Sequence, residues 1–192
     1  MTRNENDARV VRTKQMLRKA GMELITQKSD FSIANLLEKV QITRGTFYRH
    51  YHNKADLIRD INQTLIHEIL DCSPEQFNVA AVIGVISEQA VFYNVVLNEA
   101  VDQDFTKELM QELRGRLNKE LSQLTDSQLK RHLAYQWEVI MAGFWAGMAK
   151  WLSDGMDMSQ DELLSEFSEI WRVNMSASGQ TGLNLFDFTA PA

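Results

Sequence analysis

The 192-residue chain has few residues that break helices or cross-link chains: two prolines, nine glycines and one cysteine. Long uninterrupted helices are favoured, because proline and glycine end or weaken them. A lone cysteine, Cys72, forms no internal disulfide, and no Cys/His cluster has zinc spacing, so we expect a reducing, cytoplasmic location. The polar start lacks a secretory signal and no apolar run approaches the roughly 18 residues that span a bilayer, so we expect no membrane.

Charge is unevenly distributed along the chain, although the net charge is only −6. Residues 1–60 hold 12 Lys and Arg against 7 Asp and Glu, a net +5, whereas residues 61–192 hold 8 against 19, a net −11. Lys and Arg supply most non-specific affinity for nucleic acids, because they neutralise phosphates. The N-terminal part is therefore the candidate for contact with a polyanion.

Hydrophobic periodicity predicts an all-α fold. Apolar residues recur at helical spacing over residues 9–27 and 33–40 and from 53 to about 70. Asp30 or Ser32 is the expected cap of the second helix, and Asn53 that of the fourth. Capping patterns at Ser73 and Ser159 open two of the later helices, which are predicted at about 74–89, 89–100, 104–124, 126–153 and 159–175.

The same pattern predicts three regions along the chain. Residues 1–52 would form a small basic domain and residues 53–175 a larger helical body. Residues 176–192 lose the helical periodicity, which predicts a flexible tail.

The segment "TRGTFYRHYHNK", residues 43–54, combines basic and aromatic side chains in an otherwise acidic protein. Thr43 is placed to cap a short helix that runs to about Tyr51. At 100° per residue, Phe47 and Tyr51 fall on one side, which predicts burial, and the opposite side faces outward. Two short helices joined by a tight turn indicate a helix-turn-helix, whose second helix enters the major groove of DNA.

The outward side chains of this helix have chemistry suited to DNA. The parallel donors of arginine match O6 and N7 of guanine. We expect Arg44, Thr46 and Arg49 to reach base edges, while Gly45 lets the backbone come close. Phosphate contacts are expected from Tyr48, His50 and Lys54.

The stretch "FSIANLLEKVQITRGTFYRHYHNKADLI" resembles the DNA-binding segment of TetR-family transcriptional regulators, over roughly residues 9–60. The resemblance implies an obligate helical homodimer, with three N-terminal helices in a helix-turn-helix domain for double-stranded DNA over residues 1–52. It also implies a C-terminal helical domain over residues 53–175 that binds a small effector and dimerises. Two positions depart from the pattern: Leu37 replaces a small residue and Gln41 a glycine, where a left-handed turn costs on the order of 1 kcal/mol. The DNA contacts implied by the resemblance are Ser32, Thr43, Arg44, Thr46, Tyr48, His50 and Lys54.

The segment over residues 135–171 is similar to the last two helices of many such regulators. Its small residues lie one turn apart, which permits close approach of a second helix and predicts a four-helix dimer interface. The predicted interface comprises Ala142, Gly143, Ala146, Gly147, Trp151, Phe167 and Trp171. An effector pocket, with ordinary helical core as the alternative, is predicted from Phe92, Tyr93, Phe105, Tyr135, Met141 and Trp145.

The leading hypothesis is a ligand-responsive regulator, of the repressor type, that binds a palindromic operator as a homodimer. The alternative is a co-regulator of the same fold that acts through protein contacts, with its helix-turn-helix altered at Leu37 and Gln41. We expect no enzyme, metal or cofactor, because no catalytic grouping occurs and His50 and His52 share no helix face. The operator, the effector, the regulated genes and the direction of regulation stay open.

Overall fold

The computed structural model describes residues 8–27, 30–73, 77–99, 103–175 and 186–187. Within these residues the chain is almost entirely helical, as the sequence predicts, with one pair of two-residue strands. The elements are α1 (Ala8–Thr26), α2 (Ile33–Val40), α3 (Arg44–Tyr48), α4 (Lys54–Asp71), β1 (Phe77–Asn78), α5 (Val79–Glu88), α6 (Ala90–Asn98), α7 (Gln103–Ser122), α8 (Ser127–Ser153), α9 (Gln160–Met175) and β2 (Phe186–Asp187).

The chain divides into two compact units, Met1–His67 and Glu68–Ala192, and the division falls within α4. The predicted domain boundary between residues 52 and 53 stays a prediction. The first unit has an aliphatic and aromatic core from α1 to α4, as expected from helices that each bury one stripe. Its most buried members are Leu17, Leu36, Phe47, Leu57 and Ile61.

Local capping fixes most helix starts where the sequence predicts them. Ser32 is the cap of α2, where its hydroxyl accepts from the Asn35 N–H at 3.2 Å and the Asn35 side chain accepts from the Ser32 N–H at 2.9 Å. Thr43 caps α3, Asn53 accepts from the first turn of α4, and Ser159 forms a reciprocal pair at the start of α9. These bonds satisfy amides that have no partner within the helix.

The helix predicted to run to Tyr51 ends earlier, at Tyr48. The His50 N–H donates to the Phe47 carbonyl at 2.8 Å, an i to i+3 bond that tightens the backbone into a turn. The Tyr51 N–H also donates to the Phe47 carbonyl, at 3.1 Å. Tyr51 therefore stays beside Phe47 although it lies outside the regular helix.

The predicted helix start at residue 74 is wrong, because α5 begins at Val79. Asn78 is the cap: its side-chain oxygen accepts from the Ala81 N–H at 2.8 Å. The Ser73 hydroxyl, predicted to open a helix, instead accepts from the Asn78 N–H at 2.9 Å. Pro74 and Gln76 lie outside the described residues.

A short part of the predicted tail is ordered. β2 pairs in parallel with β1, so that Phe77 lies opposite Phe186, and the Asn78 side-chain amide donates to Asp187 at 3.0 Å. The buried ring of Phe186 lies 5.3 Å from that of Trp171. The rest of 176–192 lies outside the described residues.

Gln41 adopts the left-handed conformation that the turn was expected to require, with φ 54° and ψ 44°. The departure from glycine is therefore a real strain on the turn, of about 1–2 kcal/mol for a residue with a Cβ. The Gln41 N–H donates to Glu38 and the Ile42 N–H to Leu37, so the end of α2 is still closed by hydrogen bonds. The buried side chain of Leu37 fits into the core of the first unit.

Metal-ligand clusters and single membrane-spanning helices are absent from the described residues. No group of three or more His, Cys, Asp or Glu side chains there could hold a metal ion. No single described helix is long and apolar enough to cross a bilayer, and α5 with α6 reaches that length only as a pair bent by 101°.

Close packing of α8 against α9 depends on Gly147. A Cβ at this position would lie 2.6 Å from Cε1 and 2.8 Å from Cζ of Phe167. The Phe167 ring has little room to move, since it stacks on Trp171 at 5.6 Å and packs against Phe144 at 5.2 Å.

We expect Gly147→Ala to lower the free energy of unfolding by about 1–3 kcal/mol, because the added methyl overpacks this cluster. Gly115→Ala is the matched control: nothing lies within 4 Å of its Cβ, so alanine should stabilise α7 by about 0.5–1 kcal/mol. Denaturant unfolding of both variants measures the difference. Equal effects would show that α8 and α9 are not packed this closely.

Candidate nucleic-acid interface

The inner side of α3 is fixed by two aromatic rings. Phe47 and Tyr51 are buried, as predicted, and their ring centroids lie 5.7 Å apart. The Tyr51 hydroxyl donates to the Asp60 carboxylate at 2.5 Å, and Arg18 lies 3.6 Å from the same carboxylate. Burial, and then the hydrogen bond to Asp60 and the Asp60 charge, raise the pKa of the Tyr51 phenol, so it stays a neutral donor. These contacts hold α3 against α1 and α4.

The outer side of α3 carries a chain of short polar side chains. The Thr43 hydroxyl accepts from the Thr46 N–H at 3.2 Å, and the two threonine hydroxyls lie 3.1 Å apart. The Arg49 guanidinium donates to the Thr46 hydroxyl at 3.0 Å. Tyr48 is 52% exposed beside them. This network points hydroxyl and guanidinium groups away from the core.

All nine predicted DNA contacts lie at the surface of the first unit. Six of them are exposed: Ser32, Thr43, Arg44, Gly45, Tyr48 and Arg49. The other three are half-buried: Thr46, His50 and Lys54.

Lys54 is engaged within its own chain. Its ammonium group forms an ion pair with Asp30 and lies 4.5 Å from the centre of the Phe31 ring. The hydrogen bond from Lys54 lowers the pKa of the Asp30 carboxyl, which is therefore charged at neutral pH. The side chain of Asp30 is 98% exposed and that of Lys54 29%. An approaching phosphate would meet the carboxylate together with the lysine.

The predicted pocket residues fall into two groups. Five are buried in the second unit: Phe92, Tyr93, Phe105, Met141 and Trp145. The Tyr93 ring lies 5.7 Å from Phe92 and 5.9 Å from Phe105, so α6 and α7 bring these three together. Tyr135, in contrast, is 72% exposed on α8, because its position is opposite the buried face of that helix.

The predicted interface residues also divide. Trp151, Phe167 and Trp171 are buried within their own chain, and Gly147 contacts Phe167 of the same chain. Apolar and small residues are exposed together along one face of α8, which we call the α8 stripe: Tyr135, Val139, Ala142, Gly143 and Ala146.

Sequence reasoning missed three features of these surfaces. The spacing of Tyr135, Val139 and Ala146 at i, i+4 and i+11 could have placed the first two on the α8 stripe, opposite the buried aromatic residues. Nothing in the sequence pairs Asp30 with Lys54, which lie 24 positions apart. The bond from Tyr51 to Asp60 likewise depends on the packing of α4.

Comparison with known proteins adds independent findings. The TetR_C_8 family model, for a transcriptional regulator C-terminal region, matches residues 76–172, half of the chain. The uncharacterized HTH-type transcriptional regulator YxbF of Bacillus subtilis (strain 168) is 37% identical in an alignment of 81 residues that covers 38% of this chain and 21% of that protein. This chain thus spans about a fifth of the length of that relative.

Two solved structures share the fold. A tetR-family transcriptional regulator from Streptomyces coelicolor superposes with a TM-score of 0.63 at 16% identity, over 88% of this chain and 85% of the other. The dihydroxyacetone kinase operon activator DhaS superposes with a TM-score of 0.58 at 16% identity, over 87% of this chain and 96% of the other.

Proposed function

Because this chain belongs to the TetR family of transcriptional regulators, we propose that it is a ligand-responsive repressor that binds a palindromic operator as a homodimer. The observation that carries the proposal is the exposed side of α3, which is anchored from behind by Phe47 and Tyr51. Arg44, Thr46 and Arg49 read base edges from this side, and residues around them contact phosphates.

Gly45 supports close approach of DNA to the start of α3. Among the described residues, a Cβ there would meet only the Thr43 hydroxyl oxygen, at 3.9 Å, which is ordinary contact. The fold itself therefore has no need of glycine at this position. The remaining need is room for the DNA backbone or a base edge beside the main chain.

The experiment that tests the function is Gly45→Ala, measured for stability and for DNA affinity in parallel. We expect unchanged or slightly higher stability, because alanine favours a helix by about 0.5–1 kcal/mol over glycine. Affinity for operator DNA should fall about ten-fold or more, as the methyl group separates the surfaces and weakens a base contact of about 1–3 kcal/mol. Fluorescence anisotropy with a labelled duplex gives the affinity. Full DNA affinity in this variant would count against the proposed interface.

The ion pair between Asp30 and Lys54 provides a second test, in which DNA affinity should rise. Asp30→Asn removes a negative charge and frees the Lys54 ammonium group for a phosphate. DNA affinity should therefore rise several-fold at low salt, and it should fall more steeply as the salt concentration increases. Lys54→Ala should instead weaken binding across all sequences and reduce the salt slope by about one. Salt titrations of DNA affinity for the two variants measure both effects. Weaker DNA binding by Asp30→Asn would contradict the expectation that Asp30 competes with phosphate for Lys54.

Homodimerisation is proposed through the α8 stripe. Its apolar and small side chains are exposed in the single chain, and a two-fold partner that presents the same stripe would bury them. On the opposite face of α8, Trp137, Phe144 and Trp151 are buried and hold the helix in the unit. Two half-sites fix the distance between two α3 helices, so an effector that changes this distance releases the DNA.

The second candidate function is a co-regulator that acts through protein contacts. The observation that favours it is the engagement of Lys54 by Asp30, which reduces the positive charge open to phosphates. Activation is the other possible direction of control, and one protein of this fold carries the name of an operon activator. Absence of salt-dependent duplex binding by the full chain would favour the co-regulator.

A further inference from the structure

Two buried polar groups of the second unit have no hydrogen-bond partner among the described residues: the Tyr93 hydroxyl and the Trp145 indole N–H. Both side chains are more than nine-tenths buried. An unpaired buried polar group is costly, so each needs a water or a ligand. The Trp151 N–H of the same unit, in contrast, donates to the Met158 carbonyl at 2.9 Å.

Trp145 lies on the side of α8 that faces α6, the helix that carries Tyr93. Successive residues turn by about 100°, so Trp145 falls near Glu138 and Ala149 around the helix axis. Glu138 binds Arg114 of α7 at 2.5 Å, and the Ala149 carbonyl accepts from Asn98 of α6 at 2.9 Å. Trp145 therefore faces α6 and α7, whereas Gly147 and Phe167 mark the side that faces α9.

Tyr93 reaches the same level of the bundle. α7 and α8 are joined by a short turn, so they run antiparallel, and the ion pair between Arg114 and Glu138 marks one common level. Nine residues from this pair, Phe105 of α7 lies at the same height as Gly147 of α8. Trp145 lies within one helical turn of that level. The Tyr93 ring is 5.9 Å from Phe105, which places Tyr93 at this level as well.

We propose that Tyr93 and Trp145 are the polar anchors of a ligand site between α6, α7 and α8 that takes an uncharged ring compound with a hydrogen-bond acceptor. The indole N–H is a donor only, so the ligand must supply an acceptor. Phe92, Phe105 and Met141 are apolar and favour a ring. The proposal rests on the proposed function, since it names the class of effector.

Charge around the site excludes an anionic ligand. Burial raises the pKa of the Tyr93 phenol, and the nearby Glu68 and Cys72 raise it further, so the hydroxyl stays neutral. Glu68 also accepts from Gln89 at 3.2 Å, as a carboxylate does. A carboxylate ligand would add a second negative charge in a largely apolar region, where the Arg116 guanidinium near Cys72 already donates to the Ser73 and Leu70 carbonyls.

The experiment compares three single-ring probes at millimolar concentration with the full chain: acetophenone, ethylbenzene and benzoate. Thermal shift and calorimetry measure binding. We expect acetophenone to bind and stabilise, because its carbonyl accepts from Trp145, and benzoate to fail. In Trp145→Phe, and to a lesser extent Tyr93→Phe, the ratio of acetophenone to ethylbenzene affinity should fall on the order of ten-fold.

Trp151→Phe is the matched control, because it removes an indole N–H that already has a partner in the chain. Its affinity ratio should match that of the unmodified protein. An unchanged ratio in Trp145→Phe, preferred binding of benzoate, or binding of none of the probes would overturn the proposal. The last result would mean that buried water alone satisfies the two groups.

Anisotropy with operator DNA in the same samples separates this proposal from the proposed function. Probe binding that follows the expected ratios without DNA release supports the site and counts against the coupling. Failure of the unliganded protein to bind DNA counts against the proposed function alone.

Discussion

Phe47→Ala should destabilise the first unit by about 3–5 kcal/mol, because it empties the centre of the core behind α3. Phe47 is fully buried, and its ring contacts those of Tyr48 and Tyr51 at 5.3 and 5.7 Å. A loss of this size approaches the whole stability of a domain of this length. DNA binding should therefore be lost together with the fold of residues 8–67.

Tyr48→Ala is the neighbouring control, because Tyr48 is exposed and its removal leaves the core intact. It should change stability by no more than about 0.5 kcal/mol and still weaken DNA binding through a lost phosphate contact. All four tryptophans lie in residues 137–171, so their fluorescence reports on the second unit, and hydrogen exchange is the measurement for the first. Similar protection in both variants would show that Phe47 does not anchor α3.

Val139→Asp should convert the proposed homodimer into a monomer. In a two-fold interface each protomer contributes one substituted residue, so two carboxylates are buried without partners, which costs several kcal/mol. Self-association should weaken at least about 100-fold, with a matching loss of operator affinity, because one half-site remains for each molecule. Light scattering at micromolar concentration measures the oligomeric state.

Val91→Asp is the control for this experiment. Val91 is 70% exposed on α6 and Val139 71% exposed on α8, so the two changes introduce the same charge at equally exposed positions. Val91→Asp should stay dimeric and bind DNA normally. A dimer that survives Val139→Asp, or is lost in Val91→Asp, would place the interface elsewhere.

Local chemistry explains what the sequence predicts correctly. The caps at Thr43 and Ser159 involve residues three positions apart, so the sequence alone contains both partners. The burial of Phe47 and Tyr51 likewise follows from helical periodicity. The cap of α5, from Asn78 to Ala81, is equally local, but the pattern at Ser73 predicts an earlier start. That earlier start fails because β1 pairs with Phe186 and Asp187, more than 100 positions away.

For the candidate sites too, helical periodicity predicts which residues are buried but not which part of the protein buries them. A buried stripe on a helix indicates that something covers it, but not whether the cover is the same chain or a partner. The small and aromatic pattern predicts Trp151 and Trp171 in a dimer interface, whereas both are buried inside their own unit. The Asp30–Lys54 pair depends on how the start of α2 packs near the start of α4. The spacing of residues along the sequence does not predict this packing.

Selection of binding sites from random duplexes by the full chain, at two salt concentrations, measures whether the exposed side of α3 reads DNA. We expect a palindromic consensus that is bound more weakly at higher salt, and loss of preference at one position of each half-site in Arg44→Ala. Failure to enrich any sequence, or the same consensus at full strength from Arg44→Ala, would contradict this expectation.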